Sequence, residues 1–241
     1  MTTPLPQSPP DPPVPPPDAT GLRLRRKARR IWWLGGISIF VCLGIVLPGW
    51  VTISGQRAKA DLHEAYANMR CVGCMLVEFD TEYASYPNAS TAADVKAATS
   101  TTLTLGTATS NQLFRQMLAG GGGKSEKPFW AKTAISPKKP DDDFSSDATA
   151  FAKGECGFTY VAGLDASSAP DAPVLLCPMI PGSLTFDPEP FRGKAVILTV
   201  DNAAHIYDID QHGRVIVNGM DVFDPKQAFW KGKTPDVKWP E

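Results

Sequence analysis

The strongest pattern in the chain is a change of hydrophobic periodicity within residues 31–83. Residues 31–51 (IWWLGGISIFVCLGIVLPGWV) contain no charged side chain. About twenty helical residues cover roughly 30 Å, which is the thickness of the hydrocarbon core of a bilayer. Trp32, Trp33 and Trp50 lie near the two ends of this segment, where indole rings favour the membrane interface. The segment is therefore predicted to be a transmembrane helix.

After this segment, the pattern predicts that the helix continues with one apolar face. Pro48-Gly49 is expected to kink or loosen the helix near the membrane exit. The apolar residues that follow recur at steps of three and four and share one helix face. We call them the apolar stripe: Leu62, Ala65, Met69, Val72, Leu76, Phe79 and Tyr83. Packing against the domain's own sheet explains such a stripe, and so does a helix seam between two molecules.

Two short helices are predicted next. Tyr86-Pro87-Asn88 breaks the long helix, and a capping-box pattern at residues 91–94 predicts a short helix through Ala98. A second short helix is predicted after Ser110 and ends at the glycine run 120–123. This run lacks the spacing of a phosphate-binding loop and follows a helix, so nucleotide binding is not indicated.

From Cys156 onward the pattern is typical of strands. Short apolar runs separated by turn residues predict a sequential antiparallel meander. Its strands are Cys156–Gly163, Pro173–Met179, Lys194–Val200, Ala204–Asp208 and Arg214–Val217. Residues 223–241 are expected to wrap over the sheet, with Trp230 and Trp239 as anchors. The predicted fold class is α+β, with the long N-terminal helix packed on a small antiparallel sheet.

Charge sets the predicted topology. The residues directly before the apolar segment include a basic run: Arg23, Arg25, Arg26, Lys27, Arg29 and Arg30. The positive-inside rule keeps this run in the cytoplasm. We therefore predict a cytoplasmic proline-rich tail (1–30), a single span of the inner membrane (31–51) and an extracytoplasmic, periplasmic domain (52–241). A cleaved signal peptide is the alternative, but the apolar run is longer than a signal core.

Composition adds limits on partners. The net charge of the 241 residues is −1, which gives no argument for a nucleic-acid partner. The proline-rich tail is interpreted as a disordered spacer or as a docking site for a proline-reading protein. Membrane lipid and other proteins are the expected partners, and no cofactor is predicted.

Five cysteines offer candidate chemistry. Cys42 lies in the predicted span. Cys156 and Cys177 fall on two neighbouring predicted strands and are a disulfide candidate in an oxidising compartment. Cys71 and Cys74 form a C-x-x-C pair in the middle of a predicted helix, without the helix N-terminus that activates thioredoxin-like thiols. This pair is interpreted as structural, redox-sensitive or metal-binding.

Nothing else in the sequence assembles a catalytic set, so no enzyme is predicted. The run Asp141-Asp142-Asp143 is interpreted as a solvated turn, with cation binding as the alternative. Residues 208–219 begin like a calcium loop but lack its terminal glutamate, so a hairpin turn is favoured. Asn88-Ala89-Ser90 fits a glycosylation sequon, which matters only in a pathway that uses it.

The order of these elements resembles the pseudopilins of type II secretion systems and the wider type IV pilin-like superfamily. The resemblance is carried by residues 65–68 and by residues 79–87 (FDTEYASYP), which are similar to the family's helix end and its Y-G-x-Y-P exit. Ala84 stands where glycine is common. The resemblance implies a pilin-like fold and a structural role in a cell-envelope or secretion assembly.

The chain departs from the family at its processing site. Family members carry a leader that ends in glycine and is followed by F-T-L-x-E, whereas this chain has Gly21-Leu22-Arg23-Leu24-Arg25.

Two alternative functions remain open. One is a membrane-tethered thiol-redox protein using Cys71 and Cys74. The other is a tethered ligand-binding module with Trp130, Trp230 and Trp239 as contact residues.

Overall fold

The structure is a computed structural model in which residues 55–241 are described. They belong to one compact unit, Ser54–Glu241. The predicted tail and span, residues 1–51, lie outside the described residues, as does Cys42. Within the described part, no helix is both long and apolar enough to cross a membrane.

Helix α1 (residues 55–83) contains the apolar stripe. Six residues of the stripe are at most 8% exposed, and Tyr83 is partly buried against the same core. The amphipathic half of the predicted helix is therefore confirmed. Since the stripe belongs to the core of its own domain, the interpretation as a seam between two molecules does not apply to this face.

Helix α1 ends in a left-handed residue. Ala84 has a φ of 57°, and its N–H donates to the Asp80 carbonyl oxygen at 2.7 Å. This conformation brings Cβ close to the backbone and costs a non-glycine residue about 1–2 kcal/mol. The helix end therefore has a geometry that favours glycine, although alanine occupies it.

Two short helices follow, α2 (Ala89–Thr99) and α3 (Ser110–Ala119). The predicted capping box at residues 91–94 is wrong by three positions. The N-cap of α2 is Asn88, whose side chain accepts the N–H groups of Ser90 and Thr91, while the Thr91 hydroxyl accepts the Asn88 N–H. The bounds of α3 agree with the prediction to within one residue.

The main sheet has five antiparallel strands. The first four form the predicted meander: β1 (Thr159–Ala162), β2 (Pro173–Cys177), β3 (Lys194–Thr199) and β4 (Ala204–Asp208). A separate ribbon contains β5 (Ile216–Val217) and β6 (Met220–Asp221), and the last strand is β7 (Asp236–Lys238). The strand order in the main sheet is β4-β3-β2-β1-β7. The coarse fold, α+β with an antiparallel sheet, is confirmed.

One predicted strand pairs elsewhere, and one strand was not predicted. The strand predicted at Arg214–Val217 does not extend the meander, because Ile216 and Val217 pair with β6 in the small ribbon. The sequence also missed β7, which pairs with β1 through Tyr160↔Lys238, Val161↔Val237 and Ala162↔Asp236. Strands this short carry too few alternating positions to be recognised from periodicity.

One face of the sheet supports the helices. Tyr160, Leu175 and Leu198 are register partners across β1, β2 and β3, so their side chains share this face. Helix α1 approaches it at Gly73, where a Cβ atom would lie 2.9 Å from Leu198 Cδ2. The ring of Phe114 on α3 lies 5.5 Å from the ring of Tyr160. The absence of a side chain at Gly73 therefore permits the close helix–sheet contact.

We predict that Ala84→Gly stabilises the protein by about 0.5–1 kcal/mol, because glycine adopts the left-handed conformation without strain. The gain is smaller than the strain because glycine also adds entropy to the unfolded chain. Urea unfolding of the purified protein measures the free energy of unfolding.

The matched control is Ala67→Gly, at an exposed position within α1. This change is expected to destabilise the protein by about 1 kcal/mol, because the backbone there is helical. If both variants lose stability equally, the strain assigned to Ala84 is wrong.

Candidate functional sites

The side of α1 opposite the apolar stripe is open to solvent. We call it the outer face of α1, and it consists of Gln56, Lys59, Ala60, His63, Ala67, Arg70, Cys71, Cys74, Val77, Glu78 and Thr81. Val77 is 42% exposed although its side chain is apolar. Small, apolar and charged side chains are interleaved here, so the face is less polar than a purely solvated helix surface.

Cys71 and Cys74 lie on this outer face as free, exposed thiols. Cys74 Sγ lies 3.7 Å from Asn202 Nδ2 in the turn between β3 and β4. Both residues sit in the middle of α1, where the helix dipole gives a thiolate no stabilisation. The structure therefore shows that both thiols are accessible, and the thiol-redox hypothesis stays a prediction.

Cys156 and Cys177 are free and fully buried, so the structure does not contain the predicted disulfide. Cys156 precedes β1 instead of lying on it, and its Sγ lies 3.8 Å from Ser110 Oγ. Burial raises the pKa of Cys156 to about 12 and the pKa of Cys177 well above its ordinary value. Both thiols are therefore protonated and pack as small apolar groups.

The three tryptophans proposed as ligand contacts are tied into the fold. Trp130 and Trp230 are at most 5% exposed, and Trp239 is partly buried against the core. Their indole N–H groups donate to backbone carbonyl oxygens at 3.1, 2.7 and 3.2 Å, respectively. The anchoring role predicted for Trp230 is confirmed, and the buried rings of Trp130 and Trp230 offer little surface to a ligand.

A cavity of about 250 Å³ lies between β1 and the C-terminal segment. Val161 and Trp230 give it apolar walls, while Lys233 and Asp236 contribute opposite charges. The mixed lining does not select one class of ligand, so the binding-module hypothesis stays a prediction.

A cluster of three carboxylates lies in the loops between α3 and β1. Glu126, Asp141 and Glu155 each place one carboxylate oxygen within 4.8 Å of the other two. Glu126 is fully buried, Glu155 is 7% exposed and Asp141 faces solvent. We call these three residues the acidic cluster.

The backbone of the surrounding loops positions this cluster. Glu126 immediately precedes a short 3₁₀ turn, Lys127–Phe129, and its carbonyl oxygen accepts the Phe129 N–H at 2.9 Å. Its Oε1 accepts the Phe151 N–H, and Oε2 has no hydrogen-bond partner among the described residues. Glu155 Oε2 accepts the Ala152 N–H at 3.0 Å.

Burial dominates the electrostatics of the cluster. The pKa of Glu126 is raised to about 7, first by desolvation and then by the nearby charges of Glu155, Asp141 and Asp142, while the hydrogen bond from the Phe151 N–H lowers it. The pKa of Glu155 is also raised, first by burial and then by Asp141. These carboxylates therefore destabilise one another when all are ionised.

The three aspartates at residues 141–143, predicted to form a solvated turn, have two different roles. Asp142 accepts the Ser125 hydroxyl at 2.8 Å and the Glu126 N–H at 2.9 Å and pairs with Lys127, while Asp143 accepts the Ser145 hydroxyl at 2.6 Å. These two residues form the expected solvated turn, whereas Asp141 joins the acidic cluster. Nothing in the sequence pattern pointed to Glu126 or Glu155.

The calcium-like loop at residues 208–219 is a turn, as the sequence favoured. Asp210 Oδ1 accepts the N–H groups of His212 and Arg214, at 2.8 and 2.9 Å. These bonds and the Arg214 guanidinium hold the pKa of Asp210 at about 2. The carboxylate is fully engaged by the hairpin.

No family model matches the chain, and no curated protein or solved structure matches it. The candidate sites are therefore judged on their geometry alone.

We predict that, in the presence of EDTA, ionisation of Glu126 makes the protein less stable as the pH rises. The folded carboxyl ionises near pH 7, whereas an unfolded glutamate ionises near pH ~4.3. The folded state therefore binds the extra proton between these values, and its stability is lost as the pH rises through about 7. The free energy of unfolding is measured in urea, with EDTA present, at pH 5 and at pH 8. Between these two pH values it should fall by up to about 3 kcal/mol more in the wild type than in Glu126→Gln.

Glu189→Gln, which changes an exposed carboxyl elsewhere, is the control and should keep the wild-type pH dependence. Equal pH dependence in the wild type and in Glu126→Gln would show that Glu126 ionises normally.

Proposed function

We propose that this protein is a single-pass, membrane-anchored, pseudopilin-like structural or interaction protein of a cell-envelope or type II secretion-like assembly. The observation that carries the proposal is α1, which packs into the core through residues 62–79 and follows directly after the predicted span. In this proposal the predicted span anchors the chain, and α1 is the spine of the extracytoplasmic domain.

The order of layers supports the pilin-like resemblance. A long N-terminal helix lies on an antiparallel sheet, and it leaves through Tyr86, whose hydroxyl donates to the Val200 carbonyl oxygen at 3.5 Å. The Tyr160 hydroxyl donates to the Pro87 carbonyl oxygen at 3.0 Å. The Tyr-Pro exit is thus bonded to the sheet it precedes.

The outer face of α1 is the surface through which we expect assembly partners to bind. The opposite face is buried in the core, so the exposed residues of α1 that a partner protein can contact include Ala67, Cys71, Cys74 and Val77. The expected partners are membrane lipid and other envelope proteins, without nucleic acid. Catalysis is not part of the proposal.

We predict that Cys71 and Cys74 crosslink to a partner in native membranes. A maleimide–diazirine reagent attaches to exposed thiols and leaves the buried Cys156 and Cys177 unmodified, and on illumination it bonds to any neighbouring protein, with or without a thiol. Immunoblotting should show a discrete higher-mass species that disappears in the double variant Cys71→Ser, Cys74→Ser.

The control is the same treatment after detergent solubilisation and dilution, which should abolish the crosslinked species. A protein that stays monomeric in native membranes, although its thiols react fully with maleimide, would contradict the assembly role.

We also predict that the full chain resists extraction from membranes by alkaline carbonate. Deleting residues 31–51 should release it into the soluble fraction, since these apolar residues are the predicted anchor. Fractionation followed by immunoblotting measures the distribution. Recovery of the intact chain in the carbonate supernatant would contradict the anchor.

A further inference from the structure

The acidic cluster is held by loop segments that are fixed before any ligand binds. Lys138 N–H donates to the Gly154 carbonyl oxygen at 3.1 Å, and Glu155 N–H donates to the Ala152 carbonyl oxygen at 3.0 Å. The rings of Phe129 and Phe151 lie 4.8 Å apart beneath these loops. The carboxylates are thus preorganised by backbone bonds and by aromatic packing.

Glu126 is the reason to regard this cluster as more than a solvated turn. Its side chain is fully buried, one carboxylate oxygen accepts the Phe151 N–H, and Oε2 has no hydrogen-bond partner within residues 55–241. Burying an ionised carboxylate without a partner is costly. A second acid, Glu155, lies beside it and is almost as buried.

Local basic residues compensate little of this charge. Lys127 pairs with Asp142, outside the cluster. Lys138 acts on Glu155 only weakly, as the last of the influences on its pKa. A bound divalent cation would supply the missing positive charge at the point where the three carboxylates converge.

We propose that Glu126, Asp141 and Glu155 form a calcium-binding site. The cluster offers only oxygen ligands, which hard cations prefer. Ligand oxygens on opposite sides of Ca²⁺ lie about 4.8 Å apart, since each Ca–O distance is about 2.4 Å. The separations of up to 4.8 Å in the cluster fit that limit.

The asymmetry of the site favours Ca²⁺ over Mg²⁺. Two ligands are buried and one is exposed, which leaves the solvent side for water molecules. Ca²⁺ accepts six to eight oxygens in irregular arrangements, whereas Mg²⁺ requires a near-ideal octahedron of shorter bonds. A site that combines two buried ligands with an open solvent side therefore suits Ca²⁺ better than Mg²⁺.

The site connects the loops to α1. Asn68 Nδ2 donates to the Trp130 carbonyl oxygen at 2.9 Å, and Lys132 pairs with Asp61 at 3.2 Å. Trp130 and Lys132 follow directly in sequence after the turn that begins at Glu126. Ca²⁺ binding therefore stabilises the loop layer that braces the N-terminal half of the described helix.

The test is calcium binding to the purified full-length chain in detergent, after removal of metals with a chelating resin. Calorimetric titration with Ca²⁺ at pH 8 should show one binding site per chain. A hundredfold excess of Ca²⁺ over Kd should raise the Tm by about 5–10 °C, and the same concentration of Mg²⁺ should raise it less.

Glu126→Gln and Glu155→Gln should each weaken Ca²⁺ affinity at least tenfold, while Asp143→Asn, in the same loop but outside the cluster, should leave it within twofold. Without Ca²⁺ at pH 8, Glu126→Gln should have a higher Tm than the wild type, because it removes the buried charge. This rise separates a lost ligand from a misfolded variant.

Three results would overturn the proposal. The first is a wild-type chain with neither binding heat nor a Tm shift in Ca²⁺. The second is a Glu126→Gln variant that keeps the wild-type affinity. A response to Mg²⁺ as strong as the response to Ca²⁺ would overturn the assignment of the cation.

Discussion

The contact between α1 and the sheet is the constraint on which the remaining structure depends. Six buried side chains of the helix enter the same core as β1, β2 and β3. Gly73 lets the two layers approach so closely that a Cβ there would lie 2.0 Å from Asn202 Oδ1. Two of the later loops bond directly to α1. The Asn68 side-chain amide donates to the Trp130 carbonyl oxygen, and the Asp80 carboxylate accepts the Ala166 N–H at 3.3 Å.

The helices and strands that are long enough to show a repeating apolar pattern could be predicted from the sequence. The apolar stripe repeats over six helical turns, and α3 has clear boundary residues, so both were found. The first four strands each present several alternating or continuous apolar residues. By contrast, β5, β6 and β7 have only two or three residues each. Their pairing is decided by where the fold brings them, which periodicity does not reveal.

The candidate site was only partly visible for a related reason. Asp141 drew attention because it belongs to a run of three acids. Glu126 and Glu155 are single acids among lysines and glycines, and in sequence each resembles a solvated surface residue. They are buried only in the folded protein, where Phe114, Phe129 and Phe151 pack against one another next to Glu126. Tertiary packing alone therefore converts ordinary surface acids into a buried pair.

The same dependence on distant segments has a consequence for β1. Its outer edge is covered by β7, which comes from far downstream in the chain. An uncovered strand edge is a template for pairing with other chains. During synthesis β1 is made before β7. Its outer edge therefore has no partner strand until residues 236–238 have been synthesised. Proteolytic clipping of the segment before β7 would restore that bare edge and make the domain prone to aggregate.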